Sequence, residues 1–229
     1  FTNHKVAMEV HESDKIEILG NKVTQFQEDG LRLSGNKDVL VEGNHMHDPL
    51  GAYHNVVHSD FIQMWAVRET RASENITIRG NFLDSGDGRW TQSIFMRNED
   101  VDTGQQGIDR YFKNIVVEDN LIHNNHRHGI AIGETDGVTV RNNTLLHNQA
   151  SGFSAPVISV NSKALNVNIS NNIVTSIDAP KDAVLNNNYI INYNLKDAPN
   201  FVGNIFMNAE GGGAKGIDAF KLVPGSEAH

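Results

Sequence analysis

The sequence predicts an all-β chain wound as a single-stranded right-handed parallel β-helix, a solenoid with an Asn ladder. Three observations carry that expectation. A short phrase, apolar-x-apolar-x-x-Asn-x-apolar, recurs along the chain. Its Asn residues lie 23, 37, 39, 23, 29, 16 and 16 positions apart, which is a repeat of roughly 20–25 residues carrying insertions. Each copy alternates apolar and polar residues over a few positions between turn residues, so it reads as strand rather than helix.

Taken in order, the copies are Ile16, Ile18 and Asn21; Val39, Val41 and Asn44; Ile76, Ile78 and Asn81; and Ile115, Val117 and Asn120. Val138, Val140 and Asn143 follow, then Val167, Ile169 and Asn172, then Ala183, Leu185 and Asn188, with a degraded copy ending at Gly203-Asn204. Asn has a reason to recur at a tight corner. It tolerates the left-handed conformation, and stacked side-chain amides hydrogen-bond from turn to turn. A second strand falls once between successive Asn residues, with Leu31/Leu33, Ile62/Met64, Ile94/Met96 and Ile130/Ile132 expected to point inward. A looser fifth is Ser151-Gly152-Phe153. This leaves Asp29, Asp60, Gln92, His128 and Ser151 as an outward or corner column with neighbours about 4.8 Å apart. Arg32, Gln63, Phe95 and Ala131 form a second, outward column.

The 229 residues are read as one β-helix domain, 1–229, long enough to bury a core. There is no cysteine, which excludes a disulfide scaffold, a thiolate metal site and a cysteine nucleophile. No apolar run approaches the ~20 residues of a membrane span. Nineteen Lys and Arg against 28 Asp and Glu leave a net charge of −9 with no basic tract, which argues against a nucleic-acid partner. Phe1 stands almost inside the repeats with no capping helix before it. The chain therefore reads as a fragment of a longer natural protein, and as a monomer. The C-terminal phrase Phe220-Lys221-Leu222-Val223-Pro224-Gly225-Ser226 resembles the closing segment of secreted bacterial β-helix proteins. That implies a bacterial chain that is secreted, at the cell surface or periplasmic.

Insertions locate the expected working face. The second turn adds a loop from His45 to His54, and the third adds one from Asn98 to Phe112. Loops that lengthen on adjacent turns of a regular scaffold wall a cleft. Seven of the 11 histidines fall within 45–58 or 123–128. The expected catalytic residues are His58, Asp60, His128, Tyr111 and Arg97. The expected substrate contacts are Gln63, Trp65, Arg68, Arg71, Trp90, Gln92, Arg110, His126 and Arg127. Flat aromatic faces suit sugar rings, and guanidinium forks suit carboxylates. No cofactor is required on this reading, although Asp100 and Asp102, with Asp84 and Asp87, offer oxygen ligands suited to calcium.

With these residues the chain resembles the pectate-lyase-like β-helix superfamily over essentially its whole length. That superfamily holds polysaccharide lyases, alginate C5-epimerases, polygalacturonases and phage tailspike depolymerases. The resemblance implies an enzyme acting on an acidic, uronic-acid polysaccharide, by β-elimination or C5 epimerisation of alginate type. Such chemistry needs a group that neutralises the carboxylate (Arg97 or Gln63), a base (His128 or His58) and an acid (Tyr111 or the other His). A polygalacturonase-like hydrolase is the alternative. His128-Gly129-Ile130-Ala131-Ile132-Gly133 is similar to a phrase of that family, but Gln92-Ser93 stands where the family has an adjacent Asp pair. A non-catalytic carbohydrate-binding or adhesive β-helix is the third reading. The acidic-substrate expectation depends on Arg68, Arg71, Arg97, Arg110 and Arg127 gathering on one face.

Overall fold

The computed structural model describes residues 1–51, 58–86, 91–148, 154–208 and 217–228. Among the described residues, seven turns of three short strands each are wound in chain order. The first two turns are β1 (Val6–His11), β2 (Asp14–Leu19) and β3 (Lys22–Thr24), then β4 (Asp29–Ser34), β5 (Lys37–Glu42) and β6 (His45–His47). The third and fourth are β7 (Asp60–Trp65), β8 (Glu74–Arg79) and β9 (Phe82–Asp84), then β10 (Gln92–Arg97), helix α1 (Glu99–Asp102), β11 (Phe112–Glu118) and β12 (Leu121–Asn124). The fifth and sixth are β13 (His128–Ile132), β14 (Thr135–Arg141) and β15 (Thr144–His147), then β16 (Val157–Val160), β17 (Leu165–Ser170) and β18 (Ile173–Val174). The last turn holds β19 (Ile177–Asp178), β20 (Val184–Asn186) and β21 (Tyr189–Ile190).

Strands three apart in this order pair in parallel and build three seven-stranded sheets, the first running β1-β4-β7-β10-β13-β16-β19. The alternation in the sequence sets which face is buried. Leu31, Leu33, Ile62, Met64, Ile94, Met96, Ile130 and Ile132 are all 3% exposed or less and share one continuous core. Each such side chain contributes about 1.5–3 kcal/mol over its exposed state.

The Asn column is a hydrogen-bonded ladder from Asn21 to Asn188. Each rung donates its backbone N–H and its Nδ2 to the Oδ1 of the rung in the next turn, as from Asn81 to Asn120 at 3.0 and 2.9 Å. The same pair joins Asn120 to Asn143 at 3.1 and 3.0 Å. Nδ2 also donates to a carbonyl of the preceding turn, as Asn120 does to Ile78 at 3.0 Å. The expected left-handed conformation belongs to the residue before each rung instead. Gly20, Gly43, Gly80, Asp119, Asn142, Asn171 and Asn187 all have φ between 51° and 65°. This explains the doublets Asn142-Asn143, Asn171-Asn172 and Asn187-Asn188: the first Asn turns the backbone, where a small polar side chain tolerates positive φ, and the second builds the ladder.

Four details of the sequence reading change. β1 is a first-sheet strand preceding the first recognised copy, so the 98–112 insertion, with α1, falls in the fourth turn. Each turn has a third strand just after the Asn corner. The fifth first-sheet strand after β1 is β16, Val157–Val160, while Ser151-Gly152-Phe153 lies outside the described residues. Gly203-Asn204 is not a rung but part of helix α2 (Val202–Ile205). That helix, with Phe206, Phe220 and Leu222, packs on Phe82 and Leu146, on the face of the third sheet turned away from the core. No helix among the described residues is long and apolar enough to cross a membrane.

Candidate active site

The first sheet positions the candidate side chains, because its strands stack in register. Asp29 pairs with Asp60 and Asp60 with Gln92, and His128 continues the column two residues before the Ile94–Ile130 pair. The column is a corner turned inward. Asp29, Asp60 and Gln92 are 1%, 0% and 4% exposed. The backbone N–H of Asp60 donates to Asp29 Oδ1 at 2.9 Å. The guanidinium of Arg32 holds Asp29 and also Glu28, at 2.9 Å.

Two imidazoles stand over this column. His58 Nδ1 lies 2.8 Å from Asp60 Oδ2, and His128 Nδ1 bonds Gln92 Oε1. Between them is Phe95, edge-on to His58 at 5.6 Å and stacked with His128 at 5.2 Å. The two environments differ in sign. The hydrogen bond to Asp60 raises the His58 pKa against its partial burial. Burial, then the charges of Arg127 and His58, lowers that of His128. His126, whose Nδ1 accepts the backbone N–H of His128 at 3.0 Å, is pushed down by burial to about 4. Burial lifts Asp60 to about 7 against the pull of His58.

Beyond Phe95 the outward column drops in size. Arg32, Gln63 and Phe95 are followed in register by Ala131 and Ser159. A hollow of about 240 Å³ results, with His128, Arg97, Asp102 and Glu134 in its wall. A larger hollow of about 500 Å³ lies at the C-terminal turn, between Thr175 and Ile190. It is lined by Asn, Ser, Thr and aliphatic side chains without a titratable group.

The structure brings His58, Asp60, Gln92, His126 and His128 together and places Gln63 one step along the same face. Trp65 pairs in register with Arg97 at the far end of these strands. The Arg97 guanidinium is held by Asp102 at 2.7 and 3.0 Å. Tyr111 lies instead at the corner leading into β11 of the second sheet and is 8% exposed. The arginines do not gather. Arg71 binds the Gly35 carbonyl at 2.7 Å and the Asp14 carboxylate. Arg110 binds the carbonyls of Thr70, at 2.6 Å, and Glu69. Both tie neighbouring turns together. Arg68 is exposed on the turn after β7, and Arg127 on the turn before β13. Trp90 lies outside the described residues.

The calcium expectation meets a different geometry. Asp100 accepts the backbone N–H of Arg68 at 3.1 Å, Asp102 is occupied by Arg97, and Asp84 is buried against His123 at 2.9 Å. Asp87 lies outside the described residues. Among the described residues, no group of three or more His, Asp or Glu side chains could hold a metal ion. The sequence reading underweighted Phe95 and did not single out Glu134. The signal for Phe95 was the drop from Phe95 to Ala131 in one column.

Three parallel sheets stacked turn upon turn define the class of this protein, a parallel β-helix. The chain belongs to the right-handed β-helix family: the family's sequence model, a right-handed β-helix region, matches residues 1–220. No curated protein and no solved structure matches the chain significantly.

Proposed function

We propose that the chain is a carbohydrate-active enzyme that moves protons on a uronic-acid polysaccharide, by β-elimination or by C5 epimerisation of alginate type. One observation supports it above the rest: His58 and His128 flank Phe95 with pKa values moved in opposite directions. Paired titratable groups whose environments diverge in this way mark an acid and a base. In this reading neutral His128 takes the C5 proton through Nε2. His58 then delivers a proton, to the glycosidic oxygen in elimination or to the opposite face of C5 in epimerisation. Arg97, released from Asp102, and Gln63 neutralise the substrate carboxylate that makes the C5 proton acidic. The acidic-substrate part rests on Arg97, since the other arginines are dispersed. Secretion or display at the cell surface fits such a substrate.

The hydrolase alternative fits the geometry less well. Inverting or retaining hydrolysis requires two carboxyl groups flanking the scissile bond. Asp29 and Asp60 are both buried, and the backbone N–H of Asp60 donates to the Asp29 carboxylate. The deciding experiment incubates the protein with alginates, pectates and glycosaminoglycans, following ultraviolet absorbance, reducing ends and solvent exchange at C5. Absorbance indicates a lyase, and exchange alone indicates an epimerase. Reducing ends without absorbance would replace the proposal with hydrolysis. Tight binding with none of the three would replace it with a carbohydrate-binding role.

A further inference from the structure

His58 and His128 carry the same ring on the same face, yet they rest on different oxygens of one column. The column runs Asp29, Asp60, Gln92 in register on successive turns. His58 Nδ1 meets a carboxylate of this column and His128 Nδ1 meets an amide. The Gln92 Oε1 can only accept, which places the proton of neutral His128 on Nδ1 and leaves its Nε2 as the basic nitrogen. Only the carboxylate also brings a negative charge. We infer that this column assigns the two roles, Asp60 making His58 the proton donor and Gln92 making His128 the proton acceptor, so that Gln92 is a positioning residue rather than a substrate contact.

Burial agrees with that assignment. At 4% exposure the Gln92 side chain lies beneath the imidazole and has little surface left for a sugar. The other charges near His128 are Arg127 and His126 on its own turn, His58 across Phe95, and Arg97, Asp102 and Glu134 around the hollow. Near His58 are Asp60, Asp29 with its partner Arg32, and Glu99. A neutral amide under His128 leaves burial and the adjacent cations to dominate. A carboxylate there would add an opposite charge in direct contact, which moves a pKa by about 1–3 units.

The inference rests on the acid–base reading for its catalytic meaning, but its test does not depend on turnover. The imidazole signals of His58 and His128 are titrated by NMR in the unaltered protein, in Gln92→Glu and in Asp60→Asn, with assignments from His58→Ala and His128→Ala. Gln92→Glu is expected to raise the His128 titration by about one unit or more. Asp60→Asn is expected to bring His58 down by a similar amount and to leave His128 near its original value. Gln92→Glu places a second carboxylate beside buried Asp60 and risks misfolding. If it does misfold, Asp60→Asn decides alone, and an unmoved His58 titration overturns the inference. A native-like Gln92→Glu protein with an unmoved His128 overturns it equally. Both shifts in a protein that turns over no polymer would uphold the column while removing the enzyme reading.

Discussion

Asn142 and Asn143 are adjacent in the chain and have opposite tasks. Asn142 adopts φ 57° and turns the backbone out of the second sheet. Asn143 sits fully buried with its Oδ1 accepting two bonds from Asn120 and its Nδ2 donating to Asn172 Oδ1 at 3.0 Å. Replacing Asn142 by Gly should leave stability nearly unchanged, since Gly adopts positive φ freely. Replacing Asn143 by Ala strands two donors of Asn120 in the interior. Each unsatisfied group costs about 1–3 kcal/mol, so urea unfolding should show a loss of roughly 2–6 kcal/mol. Equal losses in the two variants would remove the division of labour.

The pH profile of kcat/KM should be bell-shaped about the ordinary imidazole range. The base His128 must be neutral, so activity falls as pH drops through its lowered pKa, below 6.5. The acid His58 must be protonated, so activity falls as pH rises through its raised pKa, above 6.5. Initial rates on the substrate found by the polysaccharide panel check both limbs. A profile still rising above pH 9 would assign the acid to another group.

His58→Ala and His128→Ala should each lower kcat by about 10²–10⁴, the span of general acid–base catalysis. Each ring also partners a buried oxygen, Asp60 Oδ2 or Gln92 Oε1, so stability should fall by about 1–3 kcal/mol and rates are compared well below the thermal midpoint. Calorimetric binding of oligosaccharide should persist in each variant. Full activity in both would leave the face as a binding surface only.

Arg97 and Asp102 should act on KM in opposite directions. Arg97→Ala removes the cation and should raise KM for a uronate polymer. Asp102→Asn frees the guanidinium from its 2.7 Å partner and should lower it. Neutral polymers serve as the control. Parallel changes in both variants would show that the ion pair matters to the loop and not to substrate.

Much of the fold was legible because its determinants are local. Ile115 and Val117 before Asn120 declare a strand and a corner by period alone, and the equivalent residues recur at every turn. β1 escaped because Ser13, not Asn, follows Met8 and Val10 at the spacing of the repeated phrase, although the alternation of Val6, Met8 and Val10 is the same. The corner column of Asp29, Asp60, Gln92 and His128 was also legible, since stacking makes equal positions in successive turns neighbours.

Roles at the site were less legible, because a side chain's partner depends on packing. Arg71, Arg97 and Arg110 look alike in the sequence, and all three were assigned to substrate or catalysis. In the folded chain two of them cross-link turns through backbone carbonyls and one pairs with Asp102. Tyr111 was assigned beside the imidazoles, but the 98–112 insertion carries it to the entrance of the second sheet. By itself the sequence determined the solenoid, its ladder and the acidic-to-imidazole column, all set by the period of the chain. Only the tertiary structure decided that a carboxylate lies under His58 and an amide under His128. It alone also decided that small side chains open a hollow beyond Phe95. Those contacts join successive turns, where insertion length and burial, not spacing, choose the partner.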